Sequence, residues 1–217
     1  MGISLAAISK IKGYNCKIVM PENMSEDRKL LIKNYGSDLI LTDRTTGMTG
    51  AINKAKELLF EYKNSYFVDQ FNNYTSVIAH ETTTAPEIYS QTKGSIDVIF
   101  VGIGTGATIC GLYNFFNEIK SLIEIVGVLP INFPHNIQGI GAGFNPPFLN
   151  NLHYTTFYVN EKDVFEAKVE IYKKYGLYVG LSSGAVLCAY NSFIKDPKNQ
   201  NKKALLIFPD SGDRYEK

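Results

Sequence analysis

Tryptophan is absent from this chain, and histidine and cysteine occur three times each. Cys16, Cys110 and Cys188 are odd in number, far apart and set among apolar neighbours. That spacing excludes a disulfide framework and a thiolate metal site, and it reads as buried thiols in a reducing cytoplasm. His80, His135 and His153 show no ligand spacing, so no metal is expected. No apolar run is long enough to span a bilayer, and Met1-Gly-Ile-Ser-Leu-Ala-Ala reads as the start of a helix rather than a leader. Excess charge of either sign is also missing: 22 Lys and Arg stand against 21 Asp and Glu, a formal net charge of +1. Nothing in that balance suggests nucleic acid or disorder. Gly-Lys-Ser/Thr does not occur, which excludes a P-loop.

Glycine, by contrast, is concentrated where it matters. Val98-Ile-Phe-Val101 reads as a buried strand, and Gly102, Gly104 and Gly106 follow, with Thr105 and Thr108 between and after them. Ile109 to Ile119 then has the pattern of an amphipathic helix. A strand, a glycine turn and a helix N-terminus make an anion site, because the first-turn N–H groups lack helical partners and carry the positive end of the macrodipole. The threonines add hydroxyl donors. A phosphate-bearing ligand held by Gly104, Thr105, Gly106, Ala107 and Thr108 is the functional reading. A tight turn that needs glycine and binds nothing is the alternative. A dinucleotide site is discouraged: the spacing is G-x-G-x-G, the third glycine of G-x-G-x-x-G falls on Ala107, and Glu124 begins the next apolar run instead of ending it.

The remaining elements alternate. Helices are expected at Ile3 to Ile11, Arg28 to Asn34 (with Ser25 as N-cap), Met48 to Tyr62, Val77 to Gln91, Glu161 to Tyr175 and Ser183 to Phe193. Strands are expected at Lys17 to Met20, Asp38 to Leu41, Tyr66 to Val68, Ile125 to Val128, Phe157 to Val159 and Ala204 to Phe208. This order predicts an α/β fold of parallel sheets wrapped by helices, in two small sheets with a switch near Asp69 to Asn73. The first element is a helix with no strand before it, so Gly2 reads as the end of a strand-turn-helix unit.

The stretches MGISLAAISKIKGY, KIVMPENMSEDRKLLIKNYGSDLILT, GMTGAINKAKEL, DQFNN, HETTTAPEIY, VGIGTGATICG, IQGIGAGF, VGLSSGA and PDSGDRY, taken together, resemble the cysteine synthase (O-acetylserine sulfhydrylase) family of fold type II pyridoxal-phosphate enzymes. The resemblance runs nearly end to end. It implies pyridoxal 5′-phosphate as cofactor and a two-domain fold, with residues 1–68 the remainder of a small domain and 69–217 an incomplete cofactor-binding domain. It implies a β-replacement in which O-acetylserine and sulfide give cysteine and acetate.

By position, Gly104 to Thr108 match the cofactor phosphate loop. Ser183, ahead of Ser182, matches the serine facing the pyridine nitrogen. Read from the residues alone, both serines are caps of the following helix. Gln70 matches a glutamine at the substrate carboxylate, and Gly139 and Ala142 match the active-site wall. No residue takes the catalytic position, because Gly2 aligns with the last glycine of a Thr-Ser-Gly-Asn-Thr-Gly loop, and the anchoring lysine lies before that loop in the family. Met1 is read as an internal start, a misplaced start or a cut end. Lys10, Lys12, Lys17, Lys29 and Lys33 are expected on surfaces. The segment Val128 to Gln138 is shorter than the family's, and Leu129 stands where the family has glutamate. The implied partners are a second copy or a full-length paralogue, with a serine acetyltransferase tail as a further one. The competing reading is a truncated, non-catalytic paralogue that binds another chain.

Overall fold

Helical and strand periodicities alternate along the sequence, and in the computed structural model they become alternating elements. The structure describes residues 1–214; Tyr215, the last residue of the PDSGDRY stretch, lies outside them. The chain divides into two compact units, Met1–Gln70 with Asp213 and Arg214, and Phe71–Gly212.

The first unit contains α1 (Gly2–Lys12), β1 (Lys17–Pro21), α2 (Glu26–Asn34), β2 (Asp38–Thr42) and α3 (Gly47–Glu61). Gly13 closes α1 in the left-handed region at φ 72°, a conformation glycine adopts without steric cost. Strands β1 and β2 pair in parallel, with Lys17 opposite Asp38 and Met20 opposite Leu41. Ala6 and Ile32 from the helices bury Ile18 and Met20 of β1. Helix α2 begins directly after Ser25, which stands at its N-cap as expected, and it ends at the expected Asn34. Tyr66 to Val68, expected as a strand, joins no sheet. A short apolar run becomes a strand only where a backbone ladder receives it, and this unit's sheet consists of β1 and β2.

The second unit opens with α4 (Thr75–Ala79), a π-helical turn (His80–Thr84) and α5 (Ala85–Thr92), in place of the single helix expected over Val77 to Gln91. Then follow β3 (Val98–Gly102), α6 (Ala107–Glu118), β4 (Glu124–Pro130), β5 (Thr155–Val159), α7 (Glu161–Tyr175), α8 (Leu181–Phe193) and β6 (Ala204–Leu206). The sheet order is β5-β4-β3-β6, with every pairing parallel. Strand β3 is central and covered on both faces, which explains its unbroken apolar sequence. Val98 and Phe100 pack toward α7 and α8, while Ile99 and Val101 pack toward α5 and α6. Phe100 meets Phe193, Tyr190 and Phe157 edge-on, at centroid distances of 5.2, 5.9 and 6.4 Å. Truncating such a side chain to alanine costs about 3–5 kcal/mol.

Strand β6 ends at Leu206, short of the expected Phe208, although the Ile207 N–H still donates to the Phe100 carbonyl at 3.0 Å. Helix α6 starts at Ala107, two residues before the expected Ile109, and α8 starts at Leu181, two before Ser183. Among the described residues, no helix is long and apolar enough to cross a membrane.

Candidate active site

The glycine turn leaves the carboxyl end of β3, where open parallel sheets bind ligands. Three backbone requirements fix its glycines. Gly106 caps α6 at φ 83°, in the left-handed region. A Cβ on Gly104 would stand 2.4 Å from the Gly139 carbonyl oxygen, and one on Gly102 would stand 2.6 Å from the Ile140 side chain. The turn therefore lies against the QGIGAGF segment at van der Waals limits. A backbone hydrogen bond joins them, Gly141 N–H to the Ile103 carbonyl at 2.8 Å, while the Ile103 N–H ties the start of the turn to β4 through the Val128 carbonyl at 3.0 Å. Gly104 to Thr108 and Gly139 to Ala142 are thus one surface.

Within the turn, Gly106 and Ala107 are buried, while Gly104, Thr105 and Thr108 are half-buried. The Thr105 hydroxyl oxygen accepts from the Ala107 N–H at 3.3 Å. Thr108 Oγ1 lies 3.1 Å from His80 Nε2, and His80 Nδ1 lies 3.0 Å from Thr84 Oγ1. Burial pushes the His80 imidazole below its ordinary range, which keeps it neutral. Helix α6 comes this close to the π-helical turn because residue 111 is glycine. A Cβ there would meet the Val77 carbonyl oxygen at 2.7 Å and the Glu81 nitrogen at 2.8 Å. One turn further along, the Asn114 amide donates to Glu81 Oε2 at 2.8 Å and to the Tyr74 hydroxyl at 2.9 Å. Cys110, on the same helix, has its thiol pushed up by burial and, secondarily, by the Glu81 charge.

Ser183 is fully buried, and its Oγ has no hydrogen-bond partner within the protein. Neither it nor Ser182 caps α8. The N-cap is Gly180, and both serines lie inside the first turn, which overturns the capping reading. The start of α8 is tied to the segment beyond β6: the Gly180 N–H donates to the Asp210 carbonyl at 3.2 Å, and Val179 bridges Ser211. Helices α6 and α8 thus both present their amino ends at the carboxyl edge of the sheet. A buried hydroxyl without a partner costs about 1–3 kcal/mol unless a ligand satisfies it. The chemistry of a pyridine ring nitrogen fits that hydroxyl, and the glycine cradle with its threonine hydroxyls and helix N-terminus fits a phosphate.

His135 contributes what sequence spacing did not reveal. Its Nδ1 accepts from the Ile137 N–H at 3.1 Å, so Nε2 carries the proton and donates to the Gly141 carbonyl at 2.9 Å. It staples the segment from His135 to Gly141 onto itself. Phe144 of the QGIGAGF segment meets Phe71 edge-on at 5.0 Å. Gln70 is half-buried and ends the Met1–Gln70 stretch of the first unit. Of the lysines expected on surfaces, Lys17 pairs with Asp38 at 2.6 Å and Lys29 with Glu26 at 2.7 Å. A separate cavity of about 350 Å³, lined by Asn117, Glu124, His153 and Thr155 among others, opens at the amino ends of β4 and β5. It is at the wrong edge of the sheet to share this chemistry. Among the described residues no group of three or more His, Cys, Asp or Glu could hold a metal ion.

Residues 1–210 match the family described as pyridoxal-phosphate dependent enzyme. Cysteine synthase from Buchnera aphidicola (subspecies Acyrthosiphon pisum) is 36% identical, over 99% of this chain and 74% of its own length. Among solved structures, a hydrogen sulfide-producing enzyme from Fusobacterium nucleatum superposes with a TM-score of 0.93 at 33% identity, covering 99% of this chain and 76% of that one. An O-acetylserine-dependent cystathionine β-synthase from Helicobacter pylori does so with a TM-score of 0.91 at 33% identity, covering 99% and 72%.

Proposed function

We infer that this chain, which belongs to the pyridoxal-phosphate dependent enzyme family, serves cysteine biosynthesis by β-replacement, in which O-acetylserine and sulfide give cysteine and acetate. The observation that carries the reading is the buried Ser183 hydroxyl without a protein partner. Pyridoxal phosphate, when bound, acts as an electron sink for the substrate's α-carbon, so that a β-substituent can leave and a nucleophile can add.

The second unit, Phe71–Gly212, is the cofactor-binding domain in this reading, and the first unit is the smaller domain. The backbone N–H groups of Gly104 to Ala107 and the hydroxyls of Thr105 and Thr108 hold the phosphate. The Ser183 hydroxyl donates to the ring nitrogen and, being neutral, leaves it largely unprotonated. Gly139 and Ala142 form the wall beside the substrate, and Gln70 binds its carboxylate. The lysine that anchors the cofactor has no counterpart in these 217 residues. Among the described residues none of the lysines lies on the glycine turn or on the first turn of α8.

The isolated 217-residue polypeptide is therefore expected to bind the cofactor non-covalently and to form no cysteine. It pairs with a second copy or a full-length paralogue in a reducing cytoplasm, where its three free cysteines persist. The short segment between Val128 and Gln138 argues against an acetyltransferase tail as the partner.

The test is to mix the polypeptide with pyridoxal phosphate, reduce with borohydride, map modified lysines by mass spectrometry and assay cysteine formation. Reversible binding without a specific adduct or turnover is the expected result. A single modified lysine with turnover would mean that another lysine has taken the anchoring role. No binding at all would remove the functional reading.

A further inference from the structure

His80 had no role in the sequence reading, yet it stands between two threonines. The π-helical turn His80–Thr84 contributes three threonine hydroxyls. Thr82 donates to the Ile78 carbonyl, and Thr83 donates to the Ala79 carbonyl, each back along its own helix. Thr84 instead reaches the His80 ring at Nδ1, and the other ring nitrogen reaches Thr108. Thr108 lies 28 residues away, in the first turn of α6.

A threonine hydroxyl has one proton, and a phosphate oxygen only accepts. If Thr108 donates to a phosphate, its oxygen must accept from His80, so Nε2 must bear the proton. Nδ1 of a neutral imidazole is then bare and must accept from the Thr84 hydroxyl. The three hydrogen bonds share one direction. In the opposite polarity Thr108 would spend its proton on His80 and have none for the ligand.

We propose that His80 is a positioning residue: Thr84, His80 and Thr108 form a one-way hydrogen-bond relay that aims the Thr108 proton at the phosphate held by Gly104 to Thr108. The relay rests on the phosphate reading of the preceding section. Gly111 permits it, because any side chain there would push α6 off the π-helical turn. Burial of His80 supports it, because an imidazolium would present N–H at both nitrogens and turn Thr84 from donor to acceptor.

Two measurements on the full 217-residue chain test the relay. The first is the His80 tautomer from long-range proton–nitrogen correlation spectra of ¹⁵N-histidine-labelled protein with pyridoxal phosphate, assigned by loss of the signal in His80→Gln. Protonation at Nε2 with a bare Nδ1 is expected, and the reverse overturns the proposal without need of any variant. The second is the ratio of the Kd for pyridoxal to the Kd for pyridoxal phosphate, which reads phosphate recognition alone. His80→Gln carries an amide N–H near the Nε2 position and keeps the ratio. His80→Asn reaches only toward Nδ1 and lowers the ratio about five- to tenfold. Equal ratios in wild type and both variants overturn the relay and leave the phosphate reading standing. A wild-type chain that binds both compounds equally removes the phosphate reading itself, and the relay with it.

Discussion

Gly104 and Gly139 lie so close that a Cβ on the first would stand 2.4 Å from the carbonyl oxygen of the second. Two backbones at that distance leave room for hydrogen alone, so the glycine turn and the QGIGAGF segment meet most tightly at two glycines 35 residues apart (139 − 104). Neither backbone is the far end of a flexible side chain that could move aside.

Gly104→Ala is therefore expected to separate the two segments. Overpacking of this kind costs about 1–3 kcal/mol. Chemical denaturation would show a lower midpoint, and pyridoxal phosphate affinity would fall with it. An unchanged midpoint would show that the segment around Gly139 yields without cost.

Ser183→Ala separates stability from binding. Deleting a buried hydroxyl that has no protein partner should stabilise the cofactor-free chain by about 1 kcal/mol, a rise in Tm of about 2–4 °C at this chain length. Cofactor affinity should fall at the same time. A loss of both Tm and affinity would show that the hydroxyl already holds the fold together.

The pH dependence follows from His80. Its folded-state pKa lies below the unfolded value of about 6.5, so the unfolded chain binds the additional proton and stability rises with pH across that interval. The contribution is complete above the unfolded pKa and is lost as pH falls from there toward the lower folded value. The groups nearby are Glu81, which accepts from Asn114, and the Cys110 thiol on the facing helix. His80→Gln should flatten the acid limb of the stability curve measured by urea denaturation, and an unaltered limb would assign it to other groups.

Asn114→Asp would bring a second carboxylate against Glu81, where the amide now donates at 2.8 Å. Replacing a donor by a like charge in this half-buried position should cost about 1–3 kcal/mol. Adding Glu81→Gln should recover most of that loss in a double-mutant cycle, whereas additive losses would show that the two side chains do not interact.

Much of this architecture was legible in the chain itself, because its signals are local. Helix Glu161–Tyr175 matches the expected bounds at both ends, where Asn160 precedes it and Gly176 follows in the left-handed region. The run from Val98 to Val101 had to be a strand covered on both faces, and the glycines after it had to form a turn leading into a helix. Alternation of strands and helices was enough to require parallel sheets.

What required tertiary structure was each feature whose partner is distant in sequence. Tyr66 to Val68 has the apolar content of a strand but found no ladder, and ladder formation depends on neighbouring backbone rather than on the segment. The π-helical turn within the expected Val77–Gln91 helix lies where Gly111 lets α6 approach. Ser182 and Ser183 looked like caps until the helix began at Leu181 and placed both inside its first turn. His80 and His135 lack any spacing that sequence reading recognises. Their roles come from a hydroxyl on another helix and from the Gly141 carbonyl, which only folding brings within hydrogen-bond distance.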